Sequence, residues 1–124
     1  MSQQAIDGLL LKEMIIAGAN LLEKNREAID ALNVFPVPDG DTGTNMSMTS
    51  QAAAKALRSV NSADASEVAK VVSSALLRGA KGNSGVILSI LWKGFAKGIE
   101  GASEVNGHSI VKAMGLGVEM AYSA

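Results

Sequence analysis

The chain contains only two prolines, and they stand at alternate positions, Pro36 and Pro38. Proline has no backbone N–H and its ring clashes with the preceding turn, so no helix can run through Asn33-Val34-Phe35-Pro36-Val37-Pro38, and the backbone there is held extended. On either side of this break the apolar residues recur at helical spacing. Before it, Ile6, Leu9, Leu10, Met14, Ala17 and Leu21 predict an amphipathic helix from Ala5 to about Glu23. A shorter helix carrying Ala28, Ile29 and Leu32 follows Asn25.

After the break, helical spacing resumes beyond Gly43 with Met46, Met48, Ala52, Ala53 and Ala56, and stops in the polar stretch Ser59 to Ser62. Asp64, three residues before Glu67, has the pattern of a capping box, and Val68, Val71, Val72, Ala75 and Leu76 continue a fourth helix. The glycine-rich turn Gly79 to Gly85 connects it tightly to a fifth, marked by Val86, Ile87, Ile90, Leu91 and Phe95. A last helix follows the loop Gly101 to Gly107, capped by Asn106 or Ser109 and carrying Ile110, Val111, Met114, Val118 and Ala121. Its pattern reaches Ala124 without a glycine cap or a basic last turn, so the natural domain is expected to continue.

Composition agrees with one all-helical domain. The 124 residues are 48% hydrophobic but only 3% aromatic, so the core must be built from Ala, Leu, Ile, Val and Met, which suits close helix packing. The absence of cysteine excludes a disulfide framework, a Cys-ligated metal and a thiol nucleophile, and fits a reducing compartment, the cytoplasm being expected. Eleven basic residues against twelve acidic ones leave no excess positive charge for nucleic-acid binding. Asp7 and Lys12 interrupt the N-terminal apolar stretch, which has no basic leader, so export is not expected. The run Gly82 to Trp92 is far shorter than the roughly 20 apolar residues a membrane span needs.

Chemistry concentrates in two glycine-rich helix starts. In Pro38-Asp39-Gly40-Asp41-Thr42-Gly43-Thr44-Asn45-Met46, carboxylates at i and i+2 flank a glycine just before a helix. That arrangement suits oxygen ligation of a hard cation such as Mg²⁺, with the helix N–H groups directed at any anion the cation holds. An Asx-turn followed by an N-cap would use the same residue types for hydrogen bonding alone. A calcium-binding EF-hand loop does not fit, because Gly43 and Ser50 stand where acidic ligands are needed. In Arg78-Gly79-Ala80-Lys81-Gly82-Asn83-Ser84-Gly85, glycines, a hydroxyl and two cations surround a second helix start that could cradle phosphate or serve only as a tight turn. Taken together, Asp39 and Asp41 would hold Mg²⁺ on the phosphates of a nucleotide while Lys81 and the Gly82 to Ser84 amides neutralise the remaining oxygens. His108 is read as an ordinary capping or exposed residue, and Trp92, Phe95, Met46 and Met48 as packing residues, with Met46 also able to line a purine.

The runs LNVFPVPDGDTGTNM, Leu32 to Met46, and RGAKGNSGVILS, Arg78 to Ser89, resemble the ATP-binding domain of the dihydroxyacetone kinase L-subunit type. The likeness spans the whole chain, and is nearest to the branch that forms the N-terminal domain of the bacterial fatty acid kinase catalytic subunit. It implies an antiparallel eight-helix barrel, whose later helices would lie beyond Ala124, with ATP or ADP bound at one end through two Mg²⁺ ions. On matching positions it implies Asp39 and Asp41 as metal ligands, Thr42, Thr44 and Asn45 at the phosphates, and Gly82, Asn83 and Ser84 as the second phosphate turn. The dihydroxyacetone kinase branch completes its metal site with a further upstream Asp. Here the nearby polar residue is Asn33, whose amide oxygen can ligate Mg²⁺ without supplying charge.

The resemblance further implies transfer of the γ-phosphate to the carboxylate of a fatty acid held by a separate binding protein. Three alternatives remain: a dihydroxyacetone kinase L subunit working with a dihydroxyacetone-binding subunit, a nucleotide-binding module without turnover, and a helical interaction fragment. A homo-oligomer is compatible with each.

Overall fold

The computed structural model describes residues 5–34 and 39–123. The extended lead expected through Pro36 and Pro38 lies outside these residues. Six helices, α1 (Gly8–Lys24), α2 (Arg26–Leu32), α3 (Thr42–Leu57), α4 (Ala65–Gly79), α5 (Gly82–Gly98) and α6 (Gly107–Ser123), account for nearly all of the described chain. A pair of two-residue strands, β1 (Ile6–Asp7) and β2 (Glu104–Val105), completes it. The molecule is all-α, as its apolar spacing requires.

The first helix begins at Gly8 and not at Ala5. Ile6 and Asp7 instead pair antiparallel with Val105 and Glu104, and the Asp7 carboxylate caps the helix by accepting the Leu10 N–H at 2.9 Å. Asn25 separates α1 from α2: its backbone N–H and its side-chain amide both donate to the Leu21 carbonyl, closing the first helix before Arg26 opens the second. At the head of α4, Asp64 accepts from the N–H groups of Ser66 and Glu67. The return half of the expected capping box runs through an intermediary, since the Asp64 N–H donates to the Ser62 hydroxyl and that hydroxyl donates to Glu67. Asn106 caps α6, accepting from both the N–H and the hydroxyl of Ser109.

Helix α1 packs on α3 and α4, α4 on α5, and α5 on α6. The core between them is centred on Leu57, Val68 and Val72, all fully buried, with Leu76, Phe95 and Ile99 around them. Trp92 stacks obliquely on Phe95, ring centroids 4.6 Å apart, and donates its indole N–H to the Ala69 carbonyl. The buried face of α3 is made of small and hydroxylated residues, Ser47, Thr49, Ser50, Ala53 and Ala54, which allow α1 and α4 to come close. Met48 consequently turns outward and is about half exposed (49%), contrary to the packing role its spacing suggested. Between α1 and α6 the apolar surface opens into a groove of about 570 Å³, walled by Leu11, Met14 and Ile15 on one side and Ile110, Met114 and Val118 on the other. Among the described residues no helix is long and apolar enough to cross a membrane.

Candidate functional site

The start of α3 is held by the end of α2. Asn33 accepts through Oδ1 from the N–H of Asp41 at 3.0 Å and of Thr42 at 3.2 Å. Asp30, on the last turn of α2, takes the next free donors: Oδ1 accepts the Thr44 N–H at 2.9 Å and Oδ2 the Thr44 hydroxyl at 2.5 Å. These two bonds hold the Asp30 carboxyl below the ordinary value of 3.8, because each favours the charged form. Gly43 makes the approach possible. A Cβ there would clash with the Arg26 carbonyl and lie only 2.9 Å from the Ile29 Cβ, so a side chain would push α2 off α3.

The turn before α5 is then brought to the same place. Thr49, fully buried on α3, accepts the Lys81 N–H at 3.0 Å and donates to the Asn45 carbonyl at 2.7 Å. Gly82, at φ 66°, lies directly against Asn45: a Cβ at this position would sit 2.9 Å from the carboxamide carbon. The positive φ favours glycine, and a side chain here would also have to displace the Asn45 carboxamide. The two glycine-rich helix starts, 37 residues apart by subtracting Asn45 from Gly82, are therefore neighbours in space.

Their polar groups differ in availability. Asp39 and Asp41 are exposed, and among the described residues neither carboxylate is in an ion pair. Asp41 occupies the N-cap position of α3 yet makes no side-chain capping bond. The α5 start likewise has no side-chain cap. Its Gly82 and Asn83 are exposed and Ser84 half-buried, and Lys81 beside them is exposed. Among the described residues no cluster of three or more His, Cys, Asp or Glu side chains forms a ready-made metal cage.

Asp39, Asp41, Thr42 and Asn45 stand at one helix start and Lys81, Gly82, Asn83 and Ser84 at the other, joined through the Asn45 and Gly82 contact. Met46 is half-buried one residue further along α3. Two assignments meet a different arrangement: the Asn33 oxygen faces backbone N–H groups, and the Thr44 hydroxyl gives its proton to Asp30. Asp30 and Thr49 were not singled out in the sequence. Nothing in the local sequence marks Asp30, Thr49 is one hydroxyl in a Ser/Thr-rich run, and their partners lie 14 and 32 residues away.

Residues 36–124 match the DAK2 domain family. Over all 124 residues the chain is 49% identical to Protein YloV of Bacillus subtilis (strain 168). It is 48% identical over 119 residues, 96% of its length, to an uncharacterized protein of Staphylococcus aureus (strain USA300). In both cases it spans only 22% of the relative's length.

Proposed function

The chain belongs to the DAK2 domain family, which is kinase-related and nucleotide-binding, and we propose that it is the ATP- and Mg²⁺-binding phosphotransferase domain of a fatty acid kinase. The observation that supports this reading is the contact of Asn45 with Gly82, which brings the start of α3, next to the exposed Asp39 and Asp41, against the uncapped start of α5. The donor set suits Mg²⁺, which typically takes one or two protein carboxylates and completes its shell with phosphate oxygens and water. Asp39 and Asp41 would hold it, with Asn33 supporting the loop between them and α3. When bound, the cation supplies charge neutralisation on the phosphates.

The N–H groups of Gly82, Asn83 and Ser84 point out of the α5 start and would hydrogen-bond phosphate oxygens, aided by the helix dipole. Lys81 adds a mobile positive charge at the same edge, Thr42 and Asn45 contribute polar side chains from α3, and Met46 offers an apolar surface to the base. The acceptor would be a fatty acid carboxylate presented by a separate binding protein. Its oxygen forms a bond to the γ-phosphorus as the bridge to ADP breaks, giving an acyl phosphate. A carboxylate carries no proton to remove, so this chemistry needs no general base, and none is apparent among the site residues.

Calorimetric titration of ADP and ATP in Mg²⁺, repeated in EDTA, tests the nucleotide site. Binding is expected in Mg²⁺, and its loss is expected both in EDTA and in the Asp39→Ala/Asp41→Ala variant. Equal affinity in the variant would refute the assignment. An acyl-phosphate assay with the relative-length protein and its fatty acid carrier then tests the acceptor.

A further inference from the structure

The odd feature of α3 is that the residue at its N-cap does not cap it. An Asp at this position ordinarily accepts from the N–H of the second or third helical residue, here Gly43 or Thr44. Instead the Thr44 N–H goes to Asp30 of α2 at 2.9 Å, and the N–H groups of Asp41 and Thr42 go to Asn33. The cap is supplied from outside the helix, and Asp41 makes no side-chain capping bond. Asp30 also removes a competitor. A carboxylate can only accept, so the single proton of the Thr44 hydroxyl is committed to Asp30 Oδ2 and is not given to Asp41, the N-cap residue three positions before it.

We infer that Asp30 is a positioning residue that caps α3 in place of Asp41 and thereby leaves the Asp41 carboxylate free to ligate a divalent cation. Without Asp30, both donors of Thr44 would be unmatched and Asp41 stands closest in sequence to take them, trading its place on the cation for a helix cap. The same bond makes the Thr44 oxygen an acceptor toward the site, fitted to water or cation and unable to donate to phosphate. This inference rests on the metal-dependent nucleotide site proposed above.

The test is a titration of Mn²⁺ in the presence of ADP, read by electron paramagnetic resonance, on the wild type, Asp30→Ala and Asp30→Asn, with urea unfolding run in parallel. Asp30→Ala should bind Mn²⁺ about tenfold more weakly while its urea midpoint changes little, because Asp41 takes over the cap. Asp30→Asn should recover part of the affinity, since its amide oxygen can still accept the Thr44 N–H. Unchanged affinity in Asp30→Ala overturns the inference. So does a collapse of its stability or failure to fold, which would make Asp30 a structural cap with no substitute, and so does an Asp30→Asn affinity no better than that of Asp30→Ala. If the wild type binds no Mn²⁺ with ADP, the nucleotide-site reading itself fails; if it binds and only the Asp30 prediction fails, that reading stands.

Discussion

At the scale of single residues, Asp30 links the stability of the site to pH. Its carboxyl is held below 3.8 chiefly by the Thr44 hydroxyl and the Thr44 N–H, with a smaller contribution from the charge of Arg26. A group whose folded pKa is depressed stabilises the fold at pH above its unfolded value, and that contribution disappears as pH falls through the folded one. Acid titration of the unfolding midpoint should therefore show a loss below about pH 4 that Asp30→Asn reduces, whereas an identical acid limb in the variant would exclude the linkage. Asp39 and Asp41, the residues most legible in the sequence as candidate ligands, are exposed. Asp30 is not legible in the sequence because nothing about an Asp on a short helix marks it: its role is defined by Thr44, 14 residues on.

At the scale of elements, the site depends on how α3 and α5 begin. Both starts were legible, since Asp-Gly-Asp-Thr-Gly-Thr and Lys-Gly-Asn-Ser-Gly combine backbone freedom with helix-start chemistry. Their adjacency was not. It arises because Thr49, two turns into the site face of α3, accepts the Lys81 N–H while Gly82 leaves room for the Asn45 side chain. Gly82→Ala tests this joint: a φ of 66° is unfavourable for Ala by roughly 1–2 kcal/mol, and its methyl group would displace Asn45. We expect a matching loss of stability in denaturant and a weaker Mg·ADP isotherm. Wild-type affinity in this variant would show that the two starts do not act together. The strand pair at Ile6–Asp7 is the complementary case, where a helical pattern gave way at its first residues to a pairing with Glu104–Val105 that local sequence does not announce.

For the molecule as a whole, the helices that carry the site are fastened by a core of short aliphatic side chains. Leu57 at the end of α3 is fully buried in the core cluster that also holds Val68 and Val72 of α4, so Leu57→Ala should cost about 2–5 kcal/mol in urea unfolding, the range for cavities in packed interiors. A loss below 1 kcal/mol, roughly that of a surface change, would mean the core is looser than its burial implies. Sequence by itself determined the all-helical class, the six helical segments to within a few residues, the interruption between Leu32 and Thr42, and the two glycine-rich helix starts. These follow from periodicity and backbone sterics, which act within a few residues of their cause. Tertiary structure alone decided that the two loops meet, that Asp30 and Asn33 cap α3 from α2, that Met48 faces outward, and that α1 and α6 flank an open apolar groove. Those outcomes turn on which helix faces come close enough to touch, a property of packing between distant segments that no local pattern encodes.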